Sequence, residues 1–310
     1  MSVLKLRPAY KDYLWGGDRL IREFGKVTDK TTVAESWELS CHPDGPSTIE
    51  NGPYAGRTLS EYVEREGKTV LGTNCAGCAD FPILIKLIDA RRDLSIQVHP
   101  SDAYALTHEG QQGKTEMWVV LSAEEDAFLY GGFEREITRE EFRESIENGT
   151  LTELLHRVPV KRGDVLFIPA GTIHAICHGV LVAEVQQNSN VTYRVFDYDR
   201  LGADGRPRTL HVPQALEVTR LAPMQTDYDF GEHLVRCELF TVDRRYAPWT
   251  EVCDEASFTS VLVTDGTGTL TADGETVPCR KGDSLFLPAG SGAFSLTGDM
   301  EAIITRIGTN

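Results

Sequence analysis

Short apolar or alternating segments, separated by turn residues, account for much of the chain. The clearest examples are FPILIKLI, EMWVVL, LVAEVQQ, FTSVLVT, GTLTA and MEAIITRI (residues 81–88, 116–121, 181–187, 258–264, 268–272 and 300–307). Turn signals recur at close intervals, and the alternation of strands with long helices that marks a parallel sheet is absent. The pattern predicts an all-β fold of short antiparallel strands.

Three segments have helical periodicity instead. In ITREEFRESIENGTLTELLHRV (137–158), Thr138 is placed to cap a first turn rich in glutamate. Thr150 and Glu153 follow Gly149 and predict a capping box for a second short helix. Residues 57–67 and 208–221 are the other two candidates. We therefore expect a small helical insertion at about 138–156 and a linking helix near 208–221.

One segment of the chain occurs twice. KRGDVLFIPAGTIH (161–174) aligns without a gap on RKGDSLFLPAGSGA (280–293). Such a repeat indicates one supersecondary unit used twice. We expect a first barrel over residues 1–210 and a second over 225–310. Because His174 is replaced by Ala293, we expect chemistry in the first copy and only structure in the second.

The spacing Gly-x5-Pro-x-Gly-x2-His, which ends at His174, matches the second sequence motif of the cupin superfamily of jelly-roll barrels. Upstream, Gln97 and His99 have the i, i+2 spacing that places two side chains on one face of a strand, and Glu116 begins the strand EMWVVL. Two imidazoles, a carboxylate and an amide suit zinc, manganese or ferrous iron. The motifs predict two cupin-type antiparallel jelly-roll barrels and a metal site in the first. Taken singly, a histidine such as His174 at the end of an apolar strand is more often a hydrogen-bonded core residue than a ligand, and Gln97 fits a residue that only orients a ligand.

Composition restricts the partners of the protein. The 310 residues include 31 Lys and Arg against 47 Asp and Glu, a formal net charge of −16. This acidity argues against nucleic acid or an anionic membrane as a partner. No stretch approaches the roughly 18 apolar residues of a membrane span, and the N-terminus does not read as a secretory signal. We expect a cytoplasmic protein whose seven cysteines are reduced, with a CxxC at Cys75 and Cys78 that has no second pair to complete a zinc ribbon.

Several motifs along the first barrel resemble one cupin family, the type I mannose-6-phosphate isomerases (phosphomannose isomerases), in their short bacterial form. They are WGG, AESWELSCHPDG, LSIQVHPSD, GKTEMW, PAGTIHAI and VTYRVFDYDR (15–17, 34–45, 94–102, 113–118, 169–176 and 191–200). One departure is QGKTE at 112–116, which lacks the histidine and proline that long members of the family have there. The second barrel is supported mainly by the repeat.

The resemblance implies an enzyme that interconverts mannose 6-phosphate and fructose 6-phosphate through an enediol(ate), with one Zn²⁺ per chain. The implied metal ligands are Gln97, His99, Glu116 and His174. The implied catalytic arginine is Arg194, and the residues implied to line the substrate pocket are Lys86, Ser95, Lys114, Glu184 and Asp197.

The chemistry of the reaction suggests roles for some of these residues. A guanidinium is a poor base, so Arg194 is expected to neutralise the enediolate or to hold the substrate. Lys114, two residues before a metal ligand, is the candidate proton shuttle, and Lys86, Ser95 and Arg194 are the candidate phosphate donors. Two other functions stay open, a non-catalytic sugar-binding cupin and an iron-dependent cupin dioxygenase. The oligomeric state also stays open.

Overall fold

The computed structural model describes residues 3–202 and 205–308, and strands account for most of its regular structure. Its strands in chain order are β1 (Leu4–Arg7), β2 (Ala9–Lys11), β3 (Glu35–Leu39), β4 (Thr48–Ile49), β5 (Ile83–Ala90), β6 (Ile96–Val98), β7 (Glu116–Ala123), β8 (Phe128–Phe133), β9 (Leu155–Pro159), β10 (Val165–Ile168), β11 (His174–Ile176), β12 (Val180–Gln187), β13 (Tyr193–Phe196), β14 (Val235–Arg236), β15 (Phe240–Tyr246), β16 (Trp249–Cys253), β17 (Thr259–Ala272), β18 (Glu275–Arg280), β19 (Ser284–Leu287) and β20 (Gly292–Ile307). The prediction of a mostly β, antiparallel fold is confirmed.

Short helices connect the strands. They are α1 (Arg19–Phe24), α2 (Leu59–Glu66), α3 (Asp102–His108), α4 (Arg139–Glu147) and α5 (Val212–Val218). Helices α2 and α4 begin with complete capping boxes, formed by Thr58 with Glu61 and by Thr138 with Glu141. Helix α5 has a proline in its first turn, where the missing N–H costs nothing. These helices make the fold mostly β rather than all-β.

The chain folds into two compact units, and each is assembled from separate stretches of sequence. We call the first the terminal unit; it contains the chain up to Lys11, Arg19–Leu87 and the chain from Asp229 onward. The second, which we call the central unit, contains Asp12–Asp18 and Ile88–Tyr228. The N-terminal residues belong to the terminal unit because β1 pairs with both β19 and β4.

Each unit has its own antiparallel sheet and core. In the terminal unit the strand order is β14-β15-β20-β17-β19-β1-β4. In addition, β16 pairs with the long strand β20, and β18 pairs with the long strand β17. Its apolar core includes Val261, Leu285 and Ile304. In the central unit one sheet has the order β13-β6-β11-β8-β9, and β7 pairs with both β10 and β12. Strand β6 therefore lies between β11 and β13, which carry the predicted functional residues His174 and Arg194.

The repeated segment forms the same turn in both units. The Asp164 carboxylate accepts a hydrogen bond from Lys161 N at 2.9 Å, and the Asp283 carboxylate accepts one from Arg280 N at 2.9 Å. The glycine at each turn has a positive φ, 97° at Gly163 and 90° at Gly282, which side-chain-bearing residues rarely adopt. The Gly-Asp pair shared by the two copies is therefore explained by the conformation of the turn and by its hydrogen bonds.

Three local predictions need correction. The second helix predicted within 137–158 is only a 3-10 turn at Leu151–Glu153, Thr150 makes no capping hydrogen bond, and the residues beyond it form β9, which pairs with β8. The segments 258–264 and 268–272 are one continuous strand, β17. Cys75 and Cys78 form a disulfide rather than free thiols, whereas Cys41, Cys177, Cys237, Cys253 and Cys279 are free.

Within residues 3–202 and 205–308, no helix has the length and apolarity needed to cross a membrane.

Candidate metal centre and active site

Three buried side chains of the central unit converge at the ends of neighbouring strands. His99 directly follows β6, Glu116 begins β7 and His174 begins β11. His174 Nε2 lies 3.3 Å from Glu116 Oε1, and His99 Nε2 lies 3.7 Å from Glu116 Oε2. One ligand atom from each residue lies within 4.8 Å of the others, and each residue is at most 1% exposed. These distances allow all three to bind one metal ion.

Both imidazoles are held in the tautomer that a metal ligand requires. His99 Nδ1 lies 2.8 Å from the Val191 carbonyl, and His174 Nδ1 lies 2.9 Å from the Thr172 carbonyl. A carbonyl oxygen only accepts, so each Nδ1 carries the proton and each Nε2 keeps its lone pair. His174 Nε2 has no hydrogen-bond partner within the described ranges 3–202 and 205–308. Burial, together with the charge of Lys114, lowers the pKa of His174 to about 4, so the ring is neutral at neutral pH.

Gln97 lies between two other predicted functional residues in the sheet. It is the register partner of His174 on one side and of Arg194 on the other. Residues directly opposite in antiparallel strands share a face of the sheet, so the three side chains lie in one row. Ser95 Oγ donates to Gln97 Oε1 at 3.3 Å. The structure therefore places Gln97 and Ser95 beside the His–Glu–His cluster.

Lys114 is in direct contact with this cluster. Its Nζ lies 2.5 Å from Glu116 Oε2, 3.1 Å from His99 Nε2 and 3.8 Å from Glu184 Oε1. Glu184 is held in turn by Trp118, whose indole N–H donates to Glu184 Oε2 at 2.9 Å. The lysine is 4% exposed. Its ammonium group is therefore a buried proton donor surrounded by carboxylates and an imidazole.

Arg194 and Asp197 lie at the other side of Gln97, in and after β13. Arg194 Nη1 donates to the Thr209 carbonyl at 2.9 Å, and burial lowers the pKa of Arg194, as does the charge of Arg208. Asp197 accepts from Arg208 Nε at 2.6 Å and from Arg200 Nη2 at 2.5 Å. Burial opposes ionisation of Asp197, but the hydrogen bonds from the two arginines lower its pKa overall. Three guanidinium groups and one carboxylate thus form a cationic cluster next to Gln97.

Comparison with known proteins identifies the family. Residues 3–125 match the catalytic domain of type I phosphomannose isomerases, and residues 232–307 match the cupin domain of mannose-6-phosphate isomerases. A probable mannose-6-phosphate isomerase of Bacillus subtilis is 38% identical over 319 residues, which cover 98% of both chains. The mannose-6-phosphate isomerase of Streptococcus mutans is 39% identical over 302 residues, with 94% of both chains covered. The chain belongs to the type I phosphomannose isomerase family.

Solved structures agree with this assignment. The crystal structure of the mannose 6-phosphate isomerase from B. subtilis superposes with a TM-score of 0.90 at 36% identity, over 99% of this chain and 100% of that one. A zinc-bound mannose 6-phosphate isomerase shares the fold, with a TM-score of 0.78 at 18% identity over 100% of both chains. The family resemblance predicted from the sequence motifs is confirmed.

One residue that the type I phosphomannose isomerase resemblance implies for the substrate pocket lies outside the central unit. Lys86, in the middle of β5, belongs to the terminal unit and is 5% exposed. Its Nζ lies 3.5 Å from Glu35 Oε2 and 5.1 Å from the centre of the Trp37 ring. Its contact with substrate stays a prediction.

A network that positions Lys114 was not foreseen from the sequence. Asp102 Oδ1 accepts from Gly113 N at 2.7 Å and from Gln187 Nε2 at 2.9 Å. Gln187 Oε1 in turn accepts from Thr115 N at 2.9 Å. A Cβ on Gly113 would lie 2.4 Å from the backbone of Ser101, so the close approach of these segments requires glycine. The sequence signal that could have indicated this network is the segment GKTE (113–116), in which a glycine precedes the predicted functional residues Lys114 and Glu116.

Arg200 and Arg208 were also missed. They follow β13 in an irregular stretch, and only their convergence on Asp197 distinguishes them from surface arginines. Sequence spacing carries no sign of that convergence.

Proposed function

We propose that the protein is a zinc-dependent isomerase that interconverts mannose 6-phosphate and fructose 6-phosphate. The observation that supports this most directly is the buried His99–Glu116–His174 cluster with Lys114 in contact with it, in a chain of this family. Gln97 is the proposed fourth ligand, because it shares a face of the sheet with His174. We expect one Zn²⁺ per chain.

The donor set fits zinc. Two neutral imidazoles, a carboxylate and an amide oxygen include no soft ligand that would favour copper. His174 Nε2 is a buried acceptor without a hydrogen bond among the described residues, and a bound metal ion would satisfy its lone pair. When bound, the metal supplies Lewis-acid polarisation of the sugar's carbonyl or hydroxyl oxygens.

The residues of the chain supply the remaining needs of the reaction. Isomerisation moves a proton between C2 and C1 through an enediol(ate). Lys114 is the proposed proton carrier, because its Nζ contacts both Glu116 and His99: as a neutral amine it would take the proton from one carbon, and the ammonium so formed would return it to the other. Arg194 is proposed to neutralise the enediolate, since a guanidinium stays charged and donates several hydrogen bonds. Glu184 accepts a hydrogen bond from Trp118 and is proposed to orient both Lys114 and the substrate.

Recognition of the phosphate needs cations in a strongly acidic protein. Lys86 and Ser95 are the proposed phosphate donors, and Arg194 is the alternative donor in place of its role at the enediolate. Asp197 is proposed to act on substrate binding by fixing Arg200 and Arg208, because both of its carboxylate oxygens accept from these arginines. The local cationic cluster would draw the phosphate against the overall field of the chain.

The architecture proposed with this function is two cupin-type jelly-roll barrels, the metal-bearing barrel within residues 1–210 and a degenerate barrel within 225–310. A cytoplasmic location is part of the same proposal.

A sugar-binding cupin without turnover and an iron-dependent dioxygenase are the two alternatives. Neither requires a buried proton carrier such as Lys114 beside the metal ligands. The isomerase is therefore favoured over both.

The test combines turnover, metal content and isotope exchange. We expect purified protein to convert mannose 6-phosphate to fructose 6-phosphate in a coupled assay and to contain one zinc per chain. In D₂O the product is expected to carry solvent deuterium at the transferred position without oxygen uptake. His174→Ala should lose both metal and activity, whereas His156→Ala, at a side chain 48% exposed, should keep them.

Three outcomes would contradict the proposal. Binding of substrate without conversion by metal-loaded protein would support the non-catalytic cupin. Oxygen consumption with bound iron would support the dioxygenase. A full metal complement in His174→Ala would show that His174 is not a ligand.

A further inference from the structure

The terminal unit contains a cavity of about 320 Å³ that has no part in the proposed reaction. Its walls come from β14 to β17, from β20 and from the 3-10 turn around Asn74. The residues that line it are Asn74, His233, Arg236, Thr241, Glu251, Val252, Cys253, Asp254, Ala256, Ser257, Thr259, Arg306 and Ile307. A volume of this size accommodates a small organic molecule.

The sequence repeat relates one residue of this cavity, Thr259, to the metal centre of the first copy. In the repeat Ile168 aligns with Leu287; Ile168 pairs with Glu116, and Leu287 pairs with Thr259. Thr259 therefore occupies the position of Glu116, and Ala293 that of His174. The cavity therefore borders the position of Glu116, whereas Ala293 is exposed and does not line it.

In the second copy an arginine, Arg306, lies beside Thr259. Glu116 pairs with Gln186 in the central unit. In the terminal unit Ser260 pairs with Thr305, which puts Arg306 beside Thr259, at the position equivalent to Gln186. The second copy therefore has a hydroxyl in place of the Glu116 carboxylate and a guanidinium in place of the Gln186 amide, and both of these groups can form hydrogen bonds.

The polar groups of this cavity are held in place by buried partners. Arg306 Nη1 donates to Asp243 Oδ2 at 3.2 Å, and Arg306 Nη2 is paired with Glu251. Asp243 is 1% exposed and also lies 2.7 Å from His233 Nδ1. Because each group is fixed before a ligand arrives, binding would cost little ordering of side chains.

The charges on the walls favour a neutral ligand. Arg236 and Arg306 are balanced by Glu251 and Asp254, so the lining attracts neither anions nor cations strongly. Among residues 3–202 and 205–308, the group His99, Glu116 and His174 is the only set of three metal-type ligands that converges. Guanidinium donors beside carboxylate acceptors match hydroxyl groups, which donate and accept, and Val252 and Ile307 offer apolar contact for C–H groups.

We propose that this cavity binds a neutral polyhydroxylated molecule, a free monosaccharide or sugar alcohol, at a site separate from the metal centre. The site would let an unphosphorylated sugar occupy the second repeat while the phosphosugar occupies the first.

The test uses D-mannitol as the probe, because it has no carbonyl group to isomerise. Binding to full-length, metal-loaded protein is followed by ligand-observed saturation-transfer NMR, with mannose 6-phosphate at saturation to fill the metal centre. Val252→Trp would block the cavity from a side chain that is 58% exposed, so folding should be preserved. Val27→Trp, at a residue 81% exposed and outside the cavity, is the matched control.

We expect a mannitol signal that persists with mannose 6-phosphate present, survives in Val27→Trp and is lost in Val252→Trp. Isomerase turnover should be equal in both variants, which separates this inference from the proposed function. No signal, or a signal equal in the two variants, would overturn the proposal. Loss of the mannitol signal on adding mannose 6-phosphate would assign the sugar to the metal centre instead. Inorganic phosphate that binds wild type and not Val252→Trp, in the absence of a mannitol signal, would make the cavity an anion site.

Discussion

Gln187→Ala tests whether the position of Lys114 depends on a hydrogen-bond network behind it. The amide of Gln187 joins Thr115 N to Asp102, and Asp102 in turn holds Gly113 N. Gln187 is 4% exposed, so the groups that it leaves behind are only partly reached by water. Truncation should therefore loosen the segment that carries Lys114 and begins β7.

The magnitude follows from the bonds removed. The substitution deletes the bond to Thr115 N at 2.9 Å and the bonds to Asp102 at 2.9 and 3.2 Å. Each lost bond costs about 1 kcal/mol, and a buried group left unsatisfied costs about 1–3 kcal/mol. Asp102 keeps its bond from Gly113 N and Thr115 is only half-buried, so the total should be about 2–4 kcal/mol. For a chain of this length that corresponds to a Tm lowered by roughly 3–6 °C.

Thermal unfolding and steady-state kinetics check this prediction together. We expect kcat to fall more than KM rises, because Lys114 is a proposed proton carrier rather than the main binding group. Gln111→Ala, at an exposed glutamine of the same loop, is the matched control and should change neither quantity. If Gln187→Ala unfolds and turns over like Gln111→Ala, the network does not position Lys114.

Three further substitutions probe other parts of the structure. Arg194→Ala should lower kcat by roughly 10³-fold with nearly unchanged Tm; a change confined to KM would make Arg194 a phosphate clamp. Trp118→Phe removes the indole donor to Glu184 and should cost about 1–3 kcal/mol in urea unfolding; an unchanged midpoint would contradict this. Hydrogen bonds from Arg135 and from the helix cap lower the pKa of Glu141 from 4.5 to about 2. Its carboxylate therefore stabilises the fold above pH 4.5, and this stability is lost as the pH falls towards 2. Glu141→Gln should thus be less stable than wild type at neutral pH, with a gap that closes below pH 4.5; a gap independent of pH would contradict the assignment.

The sequence reveals the cluster of candidate ligands because local spacing encodes it. The i, i+2 placement of Gln97 and His99 and the strand start at Glu116 fix side-chain directions without knowledge of the fold. The groups that orient the two histidines could not be predicted in this way. His99 Nδ1 and His174 Nδ1 are held by the backbone carbonyls of Val191 and Thr172. Every residue has a carbonyl group, so no residue type marks the ones that orient a ligand.

Some elements of the fold depend on distant parts of the chain. Residues 155–158 have helical periodicity, yet they form β9 because β8 offers a strand edge with which they pair. Propensity is weaker than pairing with a neighbouring strand. The N-terminal residues join the terminal unit for a similar reason, since β1 pairs with β19, far away along the chain. Neither pairing leaves a trace in the local pattern.

The repeated turn explains why the two copies diverge at one position and agree at so many others. Its glycines need positive φ, and its aspartates accept from the backbone in both units, so the fold of the turn accounts for their presence in both copies. His174 contributes nothing to that turn, because its ring contacts Glu116 and the Thr172 carbonyl. The replacement by Ala293 therefore leaves the hydrogen bonds of the turn in the second copy intact. The two copies share the residues of the turn, and the candidate ligand His174 occurs in only one of them. A repeat motif of this kind is evidence of shared structure, and only the ligand residues within it are evidence of chemistry.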